Sequence, residues 1–261
     1  MERQSRCILR KLTIVLGTLF IIAAFPFASP RAQWKTAWSY EGPRGPEHWA
    51  ELDPAYAACD GKAQSPIDIR SAKKVALPPL RFEFKSGPLN IINNGFTAVR
   101  VDYPAGNGNL MLVGGERYEL TQFHFHHPSE EQIDGKPAAM VLHLMFKSSD
   151  GKVAGVAVLL NEGNVNATVE KLWKYMPQTA GKLHLIPGVE INPAALLPRN
   201  TSYYMYMGSV TAPPCTEGVK WFVLKIRMTA SAEEIAAFAK LYPQDVRPPQ
   251  PLNGRVVLES Q

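Results

Sequence analysis

Turn signals of one kind recur through the middle of this chain: Asn93-Asn94-Gly95, Asn107-Gly108-Asn109, Gly114-Gly115, Asp134-Gly135 and Asp150-Gly151. Gly, Asn and Asp tolerate the backbone conformations that tight turns require. Between and beyond these turns lie short apolar or alternating segments: Leu80–Phe84, Ala98–Tyr103, Leu110–Val113, Tyr118–Phe125, Val141–Phe146, Val153–Leu160 and Val219–Arg227. Several are rich in Val, Tyr and Phe, which fit a pleated, half-buried surface, so they read as strands. Tyr203–Met207 reads as a further buried strand. Two stretches read as helices, Thr168–Tyr175 and Ser231–Leu241, the second opened by an S-x-x-E capping box from Ser231 to Glu234. With 22 prolines and 19 glycines in 261 residues, the expectation is one mainly β domain carrying a few surface helices. No repeat, low-complexity block or linker interrupts residues 33–261.

The N-terminus is a separate matter. Arg3, Arg6, Arg10 and Lys11 precede an uncharged apolar run from Leu12 to Phe27. A basic flank, a short apolar run and small residues are the layout of a secretory signal; a full membrane span needs about 20 apolar residues. Residues 1–32 are therefore expected to be a signal peptide, cut after Ala28 or Ala32, the alternative being an uncleaved anchor. Cleavage before Gln33 takes five of the 28 basic residues (Arg3, Arg6, Arg10, Lys11, Arg31) and one of the 23 acidic ones (Glu2). The formal charge falls from +5 to 23 against 22, or +1. A near-neutral chain with no basic cluster interleaved with aromatics argues against a nucleic-acid partner, and no membrane association is expected once the signal is gone. Cys7 leaves with the signal. Cys59 and Cys215 remain as an even pair in an oxidising compartment, periplasmic or secreted, and are read as one disulfide. It would close a loop of about 157 residues, worth about 4–5 kcal/mol as an upper figure from chain entropy. Two free buried thiols are the alternative.

Four of the six histidines lie within twenty residues. His124 and His126 are two apart on a predicted strand and point to one face. His143 follows in the next strand-like segment, after a turn-rich connection that can bring it alongside. Three imidazoles on one sheet face, with a fourth position open, make a catalytic rather than structural pattern and suit zinc. Gln122 shares that face and can orient the His124 ring; Glu130 follows closely and can fix a hydroxyl group. The competing reading is ordinary sheet histidines packed among aromatics.

Laid out in order, the blocks W-S-Y-E-G-P-R-G-P-E-H-W (38–49), C-D-G-K-A-Q-S-P-I-D-I (59–69), Q-F-H-F-H-H-P-S-E (122–130), L-H-L (142–144), V-T-A-P-P-C-T-E-G (210–218) and R-P-P-Q-P-L-N-G-R (247–255) resemble the α-class carbonic anhydrases, of the secreted bacterial type. The resemblance implies a central twisted, mostly antiparallel sheet of about ten strands with short helices around it. It implies reversible hydration of carbon dioxide to bicarbonate and a proton by hydroxide on one zinc ion per chain. It makes His124, His126 and His143 the zinc ligands. Thr211 accepts the hydrogen bond that aims the hydroxide, Glu130 holds the Thr211 hydroxyl, and Gln122 supports His124. Tyr40 and Asn94 fall where the family organises cavity water. Met145, Val210, Val219 and Trp221 fall on its apolar wall, and Gly155 where a valine usually lines the substrate pocket. The Cys59–Cys215 pairing matches, and a homodimer is compatible, since dimers are common among bacterial members.

The departures carry their own expectations. Phe96 follows the Asn-Asn-Gly turn where fast members place a proton-ferrying histidine, and it cannot titrate, so a slower, buffer-dependent enzyme is expected. His184 is the other histidine considered for that task. Ala212 replaces a common threonine beside Thr211, and Glu131 stands where histidine is frequent. Val141 stands where many members place a carboxylate behind the third ligand, so His143 is expected to lack that partner. Gly155 is expected to widen the pocket. Alternative readings are a catalytically silent carbonic-anhydrase-like binding or structural protein, and a zinc hydrolase acting on esters.

Overall fold

A computed structural model describes residues 38–95, 99–181 and 183–261; the signal segment and Phe96 lie outside them. The described residues all fall in one unit, Thr36–Gln261. In chain order the strands are β1 (Asp68–Ile69), β2 (Lys73–Val75), β3 (Arg81–Glu83), β4 (Gly87–Asn93), β5 (Val99–Asp102), β6 (Leu110–Val113), β7 (Glu116–His126), β8 (Gln132–Ile133), β9 (Lys136–Pro137), β10 (Met140–Lys147), β11 (Val153–Glu162), β12 (His184–Ile191), β13 (Tyr203–Ser209), β14 (Glu217–Leu224), β15 (Met228–Ala230) and β16 (Leu258–Ser260). The helices are α1 (Trp49–Leu52), α2 (Ala167–Lys174) and α3 (Ala232–Ala239).

Thirteen strands form one sheet, whose main path of ten runs β12-β4-β5-β7-β10-β11-β14-β13-β16-β2. Most neighbours are antiparallel, but β11 is parallel to both β14 and β15, and β16 is parallel to β2. β1, β8 and β9 make a separate small sheet. Each predicted strand is present within a few residues of its expected ends. Both helices are present too, and Ser231 and Glu234 make the reciprocal capping box of α3.

The sheet buries both faces in its middle, which is why β10 and β11 read as near-continuous apolar runs. On one face Leu142, Leu144 and Phe146 of β10 and Val156 and Val158 of β11 join the large core. On the other, Val141 and Met145 pack with Ala157, Leu159, Val223 and Trp221. A third cluster holds Trp49 and Tyr56 against the Cys59–Cys215 disulfide, whose Cα atoms are 4.9 Å apart.

One irregularity accommodates an extra residue in the strand that carries two of the histidines. Leu120 and Gln122 of β7 face Phe146 and Met145, which are consecutive on β10, so Thr121 is an extra residue, a β-bulge. Its hydroxyl donates to the Met145 carbonyl at 2.9 Å. N-terminal to it, the even-numbered Tyr118 and Leu120 enter the core; beyond it, the odd-numbered Phe123 and Phe125 do. Gln122, His124 and His126 are thereby turned to the opposite face.

Candidate metal centre

Antiparallel pairing of β7 with β10 sets His143 directly opposite His124 and Val141 opposite His126. The three imidazole rings meet at centroid distances of 4.9, 5.3 and 5.0 Å, and one ligand nitrogen from each lies within 4.8 Å of the others. The opposite nitrogen of each ring is held by an oxygen. His124 Nδ1 donates to Gln122 Oε1 at 2.8 Å. His126 Nδ1 donates to the Asp245 main-chain carbonyl at 2.7 Å. His143 Nε2 faces both Glu131 carboxylate oxygens, at 3.0 and 3.1 Å. These acceptors fix the tautomers and leave Nε2 of His124, Nε2 of His126 and Nδ1 of His143 as lone-pair donors. The latter two are buried without a hydrogen-bond partner, a cost that a metal ion in their midst removes. Three converging neutral imidazoles thus fit a zinc ion with an open coordination position.

The electrostatics agree. Burial, with the other two histidines and Arg100, pushes His124 well below the ordinary histidine range and keeps it neutral. Burial acts the same way on His126, but the Glu130 and Asp245 carboxylates outweigh it and raise that ring to about 9. The carboxylates thus favour positive charge at His126, which a proton or a metal ion in its place supplies. Glu130 is raised by burial, the two histidines opposing. Burial acts on Glu131 as well, but His143 wins and holds it below the usual carboxylate range.

The expectation that His143 lacks a carboxylate partner is overturned. Val141, two residues before His143 on the same face of β10, is a buried hydrocarbon, but Glu131, fixed just before β8, supplies the carboxylate. Ser129 holds that turn, donating to the Glu131 carbonyl and accepting from Ala138 N–H, both at 2.7 Å. Glu130 points the same way: Oε1 accepts from the Arg247 amide at 2.9 Å, and Oε2, without a hydrogen-bond partner, lies 3.5 Å from His126 Nε2.

A cavity of about 280 Å³ opens over the histidines, and Gln122, Met145, Val210, Thr211 and Trp221 line it with them. Val219 and Gly155 do not. Val219 is buried behind the wall. Gly155 pairs with Trp221 across β11 and β14, and a Cβ there would meet the indole Cζ3 at 2.6 Å. The ring fills the space a larger residue would take, so Gly155 does not widen the pocket. Tyr40 is half-buried beside Trp38 and Trp49 with its hydroxyl turned inward; burial, then the Glu130 and Asp245 carboxylates, keep that hydroxyl protonated. Asn94 follows the end of β4, next to Gly95, whose φ is +76°. His184 is excluded from the site face. The register runs from His184 through Ile91 and Val101 to Phe123, which is the core face of β7.

Sequence reasoning missed Glu131, Asp245 and Arg100. Arg100 was legible, because buried Val99 and Val101 flank it in strict alternation. Asp245 was not, since it lies 119 residues beyond His126 and its hydrogen bond to the ring comes from a main-chain oxygen that any residue type offers.

Fold and centre together define a β-sheet protein with a three-histidine site for a catalytic metal. A sequence profile of the eukaryotic-type carbonic anhydrase family matches residues 44–261. A carbonic anhydrase of Pectobacterium carotovorum is 40% identical over 223 residues, covering 85% of this chain and 90% of the relative. An α-carbonic anhydrase from Thermovibrio ammonificans, solved with the inhibitor sulfanilamide, superposes with a TM-score of 0.81 at 40% identity, covering 85% of this chain and 99% of that one. A hyperthermostable carbonic anhydrase from a hydrothermal vent chimney gives 0.82 at 41% identity, covering 86% and 100%. The chain belongs to the α-carbonic anhydrase family and is a carbonic anhydrase enzyme.

Proposed function

We propose that this chain hydrates carbon dioxide reversibly with one zinc ion held by His124 Nε2, His126 Nε2 and His143 Nδ1. The observation that carries this is the convergence of those nitrogens while each ring's other nitrogen is taken by an oxygen. Zinc, when bound, supplies hydroxide near neutral pH, the chemistry that carbonic anhydrases exemplify. The protein's own groups then aim and feed it. Thr211, on the cavity wall, accepts the hydrogen bond that directs the nucleophile, and Glu130, whose buried Oε2 has no hydrogen-bond partner, is the acceptor assigned to the Thr211 hydroxyl. Met145, Val210 and Trp221 offer neutral carbon dioxide an apolar wall; Tyr40 and Asn94, which do not line it, are assigned the ordering of water by the family resemblance alone. Phe96 stands in the proton-ferrying position, and the described wall offers no titratable side chain beyond the metal-binding histidines. Protons leave to external buffer, and turnover is slower than in family members with a histidine there.

The disulfide and the signal-like composition of residues 1–32 support export to the periplasm or beyond the cell. Among the described residues no helix is long and apolar enough to cross a membrane. A homodimer of near-neutral mature chains completes the reading. The test is stopped-flow carbon dioxide hydration, with and without chelator, across buffer concentrations. Stoichiometric zinc with activity that a sulfonamide abolishes supports the enzyme, whereas zinc-loaded protein without hydration activity selects the silent binding protein instead.

A further inference from the structure

Arg100 is the one permanently charged side chain on the described wall of the metal cavity. Its place follows from alternation. Val99 and Val101 are each 2% exposed in the core, so Arg100 and Asp102 take the other face, where the register sets Arg100 directly opposite His124. The guanidinium is held along one edge: Nη2 donates to Asp102 Oδ2 at 2.9 Å, and Nε sits 2.6 Å from Oδ1. A guanidinium is a rigid planar fork with five N–H donors. Asp102 covers the Nε–Nη2 edge. The Nη1–Nη2 edge, with three N–H groups, has no other partner among the described residues. Two parallel donors on that edge match the two oxygens of a planar oxyanion.

We propose that Arg100 is an anion anchor of the active site, holding a planar oxyanion (bicarbonate or a simple carboxylate) beside the three-histidine centre. This rests on the carbon dioxide hydration reading, in which bicarbonate is the anionic partner. Neutral carbon dioxide gains little from a guanidinium, so the residue distinguishes the charged ligand from the uncharged one. It favours bicarbonate capture in the dehydration direction and strengthens inhibition by small carboxylates. Asp102 is a positioning residue that presents the free edge.

The test is titration of the cobalt-loaded protein with acetate, bicarbonate and thiocyanate, read from the visible spectrum of the metal. Arg100→Gln is expected to weaken acetate and bicarbonate about tenfold, the scale of a lost charge-assisted hydrogen-bond pair at a partly exposed site. Arg100→Lys keeps the charge and loses the fork, so it is expected to hold thiocyanate near the wild-type level while losing acetate. Dissociation constants within twofold of wild type in Arg100→Gln overturn the anchor. If Arg100→Gln fails to load cobalt, Arg100→Lys decides: unchanged preference for acetate over thiocyanate overturns the fork. Wild-type zinc protein is assayed for hydration in parallel. Inactivity there overturns the enzyme reading, whereas the anion titration still reports on Arg100.

Discussion

Glu131 and His143 meet as a buried carboxylate–imidazole pair, both oxygens of the one at 3.0 and 3.1 Å from Nε2 of the other. Neither side chain is more than 1% exposed. A carboxylate on the far nitrogen orients a ligating ring and raises its basicity. Losing such a partner costs about 10- to 100-fold in metal affinity. Glu131→Gln is therefore expected to weaken zinc binding by that range, measured by competition with a chromophoric chelator. Val141→Ala, which removes only buried hydrocarbon from the same face of β10, is expected to change zinc affinity far less. Equal losses in the two variants would mean that packing, not the carboxylate, holds His143.

Phe96→His restores a group whose ordinary pKa, about 6.5, suits proton transfer near neutral pH. Turnover in dilute buffer is expected to rise by about tenfold, toward the lower end of general acid–base effects, and the dependence on buffer concentration to flatten. Stopped-flow rates at low and high buffer decide it; no gain at low buffer removes Phe96 as the limitation.

Gly155→Ala places a methyl group 2.6 Å from the Trp221 ring. The indole cannot retreat freely, because its Nε1 donates to the Ser209 carbonyl at 2.9 Å and its ring lies 4.8 Å from His143, centroid to centroid. Overpacking of this kind costs about 1–3 kcal/mol. The melting temperature and kcat/KM are expected to fall together, since the displaced ring is part of the cavity wall. A stable variant with wild-type kcat/KM would show that Trp221 is not pinned by this contact.

Glu116 gives the pH dependence a definite sign. Hydrogen bonds from Lys220, then Lys152 and Tyr118, hold its carboxyl down to about 2, tying β7 to β14 and to the turn before β11. A carboxylate whose folded pKa is depressed adds stability that is complete above its unfolded pKa and is lost as pH falls toward the folded value. The melting-temperature gap between wild type and Glu116→Gln is expected to be widest near pH 6 and to close between about pH 4.5 and 2. A gap constant across that range would mean that Glu116 acts through packing alone.

The legible parts of this molecule are those where chemistry is local. The two-residue spacing of His124 and His126, the capping box of Ser231 and Glu234, and the Gly- and Asn-marked turns each state their geometry within a few residues. What stayed hidden depends on partners distant in the chain. β12 contains Pro187 and Gly188, which read as breakers, and becomes a strand because β4 offers an edge to pair with. The two- and three-residue strands β1, β2 and β16 have no pattern of their own and exist only as pairings. The contact of Gly155 with Trp221 requires the parallel register of β11 and β14, and Glu131 reaches His143 only because β8 pairs with β1. The three metal-binding histidines were legible because strand alternation alone brings two of them to one face, and one antiparallel pairing adds the third.

The bulge at Thr121 has a consequence for how β7 tolerates change in length. Leu120 and Gln122 already face neighbouring residues of β10, so a chain lacking Thr121 would keep a regular ladder, with Tyr118, Leu120, Phe123 and Phe125 still pointing into the core and the histidines still pointing out. The surplus residue is not needed for phase. What it adds is curvature, a local increase in twist just ahead of Gln122, and the floor of the metal cavity is set on a strand bent one step before it begins.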